Sequence, residues 1–226
     1  MRKLSEQELE QVKKAISAKE LTSAEILLEI YDHYVSHLEH FEEEEFEEEL
    51  FELEEKFNYA YCHALQAKFI KATKKEIFNL QWSIFKTYFT WPRFAATIAF
   101  LVFLLSFWDT IDNRSKAISL LLPLAFTVLL TGWIYHKSYT KVTKIKKTIL
   151  SNKRIESSYL STIMIQLSLF TSSFNLLILV PKILDIPNFM ESIFFLLVSF
   201  SLFIIYTSYS LTLFEAWKIK SKTALI

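Results

Sequence analysis

Four side chains that can bind metals recur along one predicted helix, in the pattern E-x-x-x-H-x-x-x-H-x-x-H. They are Glu29, His33, His37 and His40. Positions three or four apart lie on one face of an α-helix, and imidazoles with one carboxylate can bind Zn²⁺ or another transition metal. The pattern lacks the glutamate that follows the first histidine in the H-E-x-x-H motif of metalloproteases. A solvated polar face is the alternative, and on that basis we predict no structural metal.

The remaining residue types give little support to catalysis. Cys62 is the only cysteine, so no intrachain disulfide can form, although Cys62 and His63 could complete a metal site from the next helix. Gly132 is the only glycine, which excludes glycine-rich phosphate loops and GxxxG helix contacts. No Ser/His, Cys/His or paired-carboxylate arrangement falls at a predicted membrane interface. We therefore predict that the chain is not an enzyme and has no cofactor.

The two halves of the chain carry opposite charge. Residues 1–90 contain 11 Lys/Arg and 19 Asp/Glu, a net charge of −8, whereas residues 91–226 contain 14 and 6, a net charge of +8. Such a split indicates separate environments or mutual attraction. Because no soluble face is strongly basic with interleaved aromatic residues, nucleic acid is not an expected partner.

Helix-start signals organise the first half. Ser5 and Glu8 form a capping box, and Thr22 and Glu25 are predicted to repeat it at the start of a second helix. Each box precedes an apolar stripe at helical spacing, so both segments are predicted to be amphipathic helices. The predicted fold of this half is a bundle of three or four short helices.

Glutamate makes up ten of the fourteen residues from 42 to 55. A run of like charges can be disordered, but apolar residues recur through this one at helical spacing. We therefore predict a helix with an acidic outer face that continues to about Ala72, with a weaker capping box at Thr73 and Glu76. The apolar seam consists of Phe46, Leu50, Leu53 and Phe57.

Three segments of this half share a family pattern: the short helix at 5–18, EIYDHYVSHLE at 29–39, and the stretch from Phe46 or Phe51 to Phe57. Over roughly residues 1–70 the chain resembles the HAAS-type helical module, which precedes membrane spans in bacterial proteins often linked to PadR-type regulators. The chain departs from that pattern in its glutamate run and in Asn58, where a glycine is expected. The resemblance implies an interaction or signalling module.

Long apolar runs begin at Trp91 and predict four membrane-spanning helices, at about 92–108, 117–136, 158–181 and 192–215. At about 1.5 Å per residue, a run of 19 residues matches a hydrocarbon core about 30 Å thick. The first run is the shortest, with 15 residues between Arg93 and Asp109. A buried core helix is the alternative for that segment.

Basic residues between the spans predict the orientation. Residues 137–154, predicted to form a loop, contain seven Lys/Arg and no acidic residue, and the tail 218–226 contains three lysines. The predicted location is a bacterial inner (plasma) membrane, and the positive-inside rule then places both termini in the cytosol. The absence of an apolar h-region predicts no cleaved signal peptide. Trp82 is expected near the membrane surface, and the other four tryptophans fall at predicted span ends: Trp91, Trp108, Trp133 and Trp217.

Polar residues within the spans allow two interpretations. Gln166 and Asn175 in the third span are predicted to join helices by hydrogen bonds, and a substrate path is the alternative. No charged residue lies near the middle of any span. Because buried ionisable residues usually mark ion paths, this absence weighs against a pump.

The acidic run and the basic loop are both predicted to be cytosolic, so they could dock on each other. The candidate contacts join Glu45 and Glu48 to Lys141 and Lys144. Opposite patches attract over a Debye length of about 8–10 Å. A solvated acidic face, and a basic loop bound to anionic lipid, are the alternatives.

The predicted fold is all-α: a cytosolic helical domain at 1–90, four transmembrane helices within 91–217, and a basic tail at 218–226. The predicted function is that of a non-enzymatic membrane protein whose cytosolic domain recruits or regulates a partner. A small transporter, or an accessory subunit of a channel or transporter, is the alternative. The expected partners are the lipid bilayer, a cytosolic protein and a second copy of the chain.

Overall fold

The chain is almost entirely helical in this computed structural model, which describes residues 2–108, 110, 113–149, 155–183 and 193–223. Within these helices, the side chains at 113–124, 174–183, 193–200 and scattered other positions lie outside the description. The described residues contain a 3₁₀ turn (Glu43–Glu45) and no strand, so the all-α prediction is confirmed. The helices are α1 (Glu6–Ser17), α2 (Ala24–Leu38), α3 (Phe46–Lys56), α4 (Tyr59–Tyr88), α5 (Arg93–Trp108), α6 (Asn113–Ile149), α7 (Ser158–Ile183) and α8 (Ile193–Thr223).

Two compact units divide these helices between them. Unit 1 comprises residues 1–76, 136–162 and 220–226, and unit 2 comprises residues 77–135 and 163–219. The predicted boundaries followed the order of the chain, whereas each unit draws on separate stretches of it. As a result, the end of α6 and the start of α7 belong with the N-terminal helices in unit 1.

Charge is balanced within each unit. Unit 1 contains 19 basic and 20 acidic residues, and unit 2 contains 6 and 5. The opposite charges of the two sequence halves therefore largely cancel inside unit 1, because residues 136–162 supply seven of its cations.

Helix α1 begins at the predicted capping box. The Ser5 hydroxyl accepts a hydrogen bond from the Glu8 amide at 3.3 Å, and the Glu8 carboxylate accepts from the Ser5 amide at 2.7 Å. Arg2 donates two more bonds to the same carboxylate, at 2.6 and 3.0 Å, and lowers the pKa of Glu8 to about 2. This capping box is confirmed.

Helix α2 begins one residue later than predicted. Ser23 is its N-cap, and the Ser23 hydroxyl accepts from the Ile26 amide at 3.5 Å, while Thr22 is exposed. The predicted Thr22–Glu25 capping box is therefore wrong. The Gln66 side-chain oxygen accepts from the amides of both Thr22 and Ser23, each at 2.9 Å, and holds the entering backbone.

The apolar seam of the glutamate run is confirmed, because Phe46, Leu50, Leu53 and Phe57 are all buried. The predicted continuous helix is wrong, since α3 ends at Lys56 and α4 begins at Tyr59. Asn58 caps the new helix, with its side-chain oxygen accepting from the Tyr61 amide at 2.9 Å. Thr73 lies inside α4, so no helix starts there.

Residues 137–149 continue α6 and do not form the predicted loop. Val142 and Ile149 are buried and Ile145 is partly buried, all packed with the core of unit 1. Their spacing of three and four residues places them on one face of the helix. The intervening lysines hid this stripe in the sequence, where basic charge suggested a loop.

Each of the four predicted spans coincides with a helix, although α6 and α8 continue beyond the predicted ends. Across the part of the chain that the structure describes, no helix has both the length and the apolar character needed to cross a membrane.

Candidate functional site

A cluster of hydrogen bonds in unit 1 surrounds the buried carboxylate of Glu25. Ser157 Oγ donates to Glu25 Oε1 at 2.5 Å, and the Ser158 amide donates to Glu25 Oε2 at 3.0 Å. Ser23 Oγ donates to Glu25 Oε2 at 2.9 Å and accepts from Ser158 Oγ at 2.9 Å. These four side chains, here called the serine–carboxylate cluster, are all buried.

Backbone bonds hold the two sides of this cluster together. The Ala24 amide donates to the Glu156 carbonyl at 3.0 Å, and the Glu156 amide donates to the Thr22 carbonyl at 2.9 Å. This short parallel bridge joins the entries of α2 and α7. The two helices consequently begin side by side.

The carboxylate suits this position for a physical reason. The amides at a helix N-terminus lack intrahelical acceptors, and the helix dipole favours negative charge there. Glu25 lies in the first turn of α2 and bonds the first amide of α7, at Ser158. It therefore stabilises two helix starts at once and fastens α7 to the N-terminal helices.

The sequence signal for this cluster was incomplete. Ser157 and Ser158 follow the pattern of an N-cap before an apolar run, and this signal could have located the start of α7. No local pattern links Glu25 to residues 132 positions away. The contact between α2 and α7 is therefore a tertiary feature that a single sequence does not reveal.

The histidines of the candidate metal face contact other groups. His37 Nε2 lies 2.9 Å from Glu49 Oε2, and His40 Nδ1 donates to the Ser36 carbonyl at 2.7 Å. His33 packs its ring on Phe57, with 5.0 Å between ring centroids. Among the residues described, no three His, Cys, Asp or Glu side chains are placed to hold a metal ion.

Cys62 and His63, the candidate metal ligands from the next helix, also contact other groups. Cys62 is buried and donates its thiol to the Phe57 carbonyl at 3.3 Å, and burial raises its pKa. His63 Nε2 lies 3.0 Å from the Lys19 carbonyl. Glu29, four residues before His33 in α2, is exposed. The arrangement fits a helix face whose side chains contact other residues of unit 1.

The residues of the acidic–basic docking hypothesis all lie in unit 1 and are exposed: Glu45, Glu48, Lys141 and Lys144. Within the acidic run, Glu45 accepts from the Glu42 amide at 3.4 Å, and Glu47 accepts from the Gln11 side chain at 3.0 Å. Docking of the two patches stays a prediction.

A clasp of three side chains links α4, α7 and α8 within unit 1. Glu76 accepts hydrogen bonds from Tyr159, at 2.9 Å, and from Lys220, whose ammonium also lies over the Tyr159 ring at 5.5 Å. The bond from Lys220 lowers the pKa of Glu76. The serine–carboxylate cluster involves Ser158 and the clasp involves Tyr159, which are the first two residues of α7.

Polar side chains pair inside unit 2. Thr127 and Ser210 hydroxyls lie 3.3 Å apart, and Thr171 and Tyr206 hydroxyls lie 3.1 Å apart. Each pair joins two helices, which is the role predicted for polar residues of the spans. Gln166 has a buried side-chain oxygen that no described residue bonds, and the Asn175 side chain lies outside the described residues.

Several large apolar side chains of unit 2 are exposed. Leu129 is 73% exposed, Val128 64% and Leu169 63%. The same unit buries Thr127, Ser210 and Thr212. Unit 2 therefore exposes large apolar side chains and also buries hydroxyl groups, alongside buried apolar residues such as Ile134 and Leu213.

Comparison with known proteins found no matching family model, no similar curated protein and no similar solved structure.

Proposed function

We propose that the chain is a non-enzymatic integral membrane protein whose unit 1 is a cytosolic module that recruits or regulates a partner. The observation that carries the proposal is the exposure of large apolar side chains on unit 2, together with the hydroxyl pairs between its helices. Exposed apolar patches of this kind mark contact with a membrane or another protein. Buried hydroxyl pairs between helices are the form of contact typical within a bilayer.

The predicted spans supply the second argument. The charge-free runs at 117–135, 157–181 and 192–214 are each long enough to cross a hydrocarbon core of about 30 Å. The sequence of these runs supports the proposal. The expected location is a bacterial inner membrane, with both termini in the cytosol.

Orientation follows from the basic end of α6. Residues 137–147 carry five lysines and no acidic residue, and their helix packs in unit 1. The positive-inside rule places such residues in the cytosol, so unit 1 as a whole is assigned there.

Within unit 1, we expect the acidic face of α3 to contact the partner. Its exposed carboxylates recur at spacings of four, four and three, so they form one stripe along the 3₁₀ turn and α3. A basic surface on a cytosolic protein is the complement of such a stripe. The resemblance to HAAS-type modules agrees with this role. The stripe comprises Glu44, Glu48, Glu52 and Glu55.

Topology is tested by cysteine labelling of the full chain in a Cys62→Ser background. A membrane-impermeant maleimide is expected to label Thr110→Cys in intact cells and Lys141→Cys only after the inner membrane is opened. Release of the chain by alkaline carbonate, or labelling of Lys141→Cys from outside, would contradict the proposal.

The partner role is tested by affinity capture from solubilised membranes followed by mass spectrometry. The double variant Glu48→Lys/Glu52→Lys is expected to lose the captured protein. Glu6→Lys, an exposed change in α1, is the matched control and is expected to retain it. Equal capture by the parent chain, the double variant and the control would show that α3 is not the docking face.

A second function is supported by Gln166. A buried oxygen without a described partner is costly unless something bonds it, and a transported polar solute could do so. A small transporter, or its accessory subunit, is therefore the alternative. Gln166→Leu is expected to abolish solute uptake in that case, and to leave partner capture unchanged in either case.

A further inference from the structure

The exposed side of α4 in unit 2 carries a row of aromatic rings. Phe78, Trp82 and Phe85 recur at spacings of four and three, so they lie along one face of the helix, and Phe89 continues the row in the turn that follows Tyr88. Ring centroids are 5.7 Å apart between Trp82 and Phe85, and 4.9 Å apart between Phe85 and Phe89. We name these four residues the aromatic ridge.

The face of α4 that packs into unit 2 lies about a quarter-turn round the helix from the ridge, which leaves the ridge exposed. Ile77, Gln81 and Ile84 are buried on that face. By contrast, Phe78 is 59% exposed, Trp82 51% and Phe89 46%. A contiguous exposed aromatic surface of this kind requires a partner that is at least partly apolar.

Positive charge accompanies the ridge. The Lys86 ammonium lies 5.6 Å from the centre of the Trp82 ring, and the Arg93 guanidinium lies 5.3 Å from the centre of the Tyr88 ring. From residue 77 to residue 108 the sequence contains no acidic residue. The surface that covers the ridge should therefore be apolar at the depth of the rings and anionic at the depth of the cations.

We propose that the aromatic ridge lies along the surface of an anionic lipid bilayer, with its rings at the acyl boundary and Lys86 among the headgroups. Tryptophan and other amphipathic rings favour this depth, and a helix with an apolar and a basic side lies in the interface plane. The inference rests on the proposed membrane location of unit 2 and adds a second, peripheral mode of lipid contact through α4.

Spin labels on the full chain in lipid nanodiscs test this depth. In a Cys62→Ser background, one label replaces Phe89 on the ridge. The control label replaces Ser83, which is exposed on α4 but lies well round the helix from the ridge. The label at 89 is expected to collide more with oxygen than with a polar nickel complex, and the label at 83 is expected to show the reverse.

Lipid charge is tested with the same labels. Nanodiscs of phosphatidylcholine with phosphatidylglycerol are compared with nanodiscs of phosphatidylcholine alone. Removal of the anionic lipid, or the substitution Lys86→Gln, is expected to lower the ratio of inserted to detached ridge about fivefold, the effect of one basic residue at such a surface. If the label at 89 still collides more with oxygen, to the same extent, without anionic lipid and in Lys86→Gln, the inferred role of anionic lipid is wrong.

Labels at Leu129 and Leu169 separate this inference from the proposed function. Labels at 129 and 169 that collide more with oxygen, together with a label at 89 that collides more with the nickel complex, would overturn the inference about the ridge. The membrane location of unit 2 would remain supported. A label at 89 that is shielded from both reagents would also overturn it, because the ridge would then be covered by protein. Nickel preference at 129 and 169 would contradict the proposed function itself.

Discussion

Ser23 joins two helix starts through a single hydroxyl. Its Oγ accepts from the Ile26 amide in α2 and from Ser158 Oγ at the start of α7. Ser23→Ala removes a helix cap and leaves a buried hydroxyl without its acceptor, so we expect a loss of about 2 kcal/mol in the stability of unit 1. Hydrogen exchange of the full chain in detergent should become faster at the starts of both helices.

Thr22→Ala is the matched control for that prediction. Thr22 is exposed and its hydroxyl lies 3.5 Å from the Gln66 oxygen, so we expect a change within about 0.5 kcal/mol. A larger effect from Thr22→Ala than from Ser23→Ala would mean that the N-cap of α2 is Thr22 after all.

Glu8 is the residue whose titration should be visible in the stability of unit 1. Its pKa lies at about 2, below the usual 4.5, chiefly because Arg2 donates to it. A lowered folded-state pKa contributes stability that is complete above about pH 4.5 and is lost as the pH falls towards about 2. Glu8→Gln should therefore melt below the parent chain at neutral pH, and the gap should close on acidification.

The control for this pH dependence is Gln7→Ala, an exposed change in the same helical turn that removes no titratable group. The difference in melting temperature between this variant and the parent chain should stay constant between about pH 5 and pH 2, the range that the Glu8 linkage covers. A gap for Glu8→Gln that does not change with pH would show that the Arg2 contact is absent in solution.

Single-residue predictions succeeded where the signal was local. The Ser5–Glu8 box needs only residues three apart, and the structure contains it. The N-cap Ser23 is distinguished from Thr22 by its hydroxyl contact with Ser158, which is 135 positions away along the chain. His37 likewise bonds Glu49 on another helix, a contact that no spacing rule predicts.

Among the elements, the end of α6 has the most testable role. Ile149 is fully buried in the core of unit 1. Ile149→Ala removes buried methyl groups and leaves a cavity, so we expect a loss of about 2–4 kcal/mol in the stability of unit 1. Exchange of amides in α1 and α2 should become faster in the variant, as measured on the full chain.

Lys146→Ala provides the comparison, since Lys146 is exposed on the same helical turn. It should change the stability of unit 1 by less than about 0.5 kcal/mol. Equal exchange rates in Ile149→Ala and Lys146→Ala would indicate that this segment behaves as the loop that its charge suggested.

Helix existence could be predicted more reliably than helix ends. The seam of Phe46, Leu50 and Leu53 specified α3 because each residue meets the core at helical spacing. The same spacing continues past Phe57, so periodicity gave no sign of the break that Asn58 caps. The end of α6 was misjudged for the opposite reason, because its lysines outweighed the three apolar residues between them.

At the scale of the whole molecule, unit 1 has nearly balanced charge, which the order of residues along the sequence does not reveal. The acidic N-terminal residues and the basic residues 136–162 are far apart in the chain but belong to one compact unit. Their mutual attraction offsets the self-repulsion that either set would have alone. The predicted docking of Glu45 and Glu48 on Lys141 and Lys144 is one specific form of this compensation.

Charge reversal tests that compensation. Lys141→Glu/Lys144→Glu should destabilise unit 1 at low salt, because it removes two cations from a unit that is already slightly acidic. Exposed single pairs contribute only about 0–1 kcal/mol each, so a loss of about 1–2 kcal/mol is expected. The loss should shrink between about 0.1 M and 1 M salt, as the Debye length falls from about 10 Å to about 3 Å.

Two further measurements distinguish a local contact from a general charge effect. Lys86→Glu in unit 2 carries the same type of charge reversal and should leave the hydrogen exchange of unit 1 unchanged. Carbodiimide crosslinks between glutamates 45–49 and lysines 141–147 should form at low salt and decline as salt rises. If these crosslinks are absent at low salt while anionic vesicles protect the lysines from modification, the basic end of α6 binds lipid. Glu48, the one residue shared by this contact and the stripe proposed to bind the partner, then contacts the cytosolic partner alone.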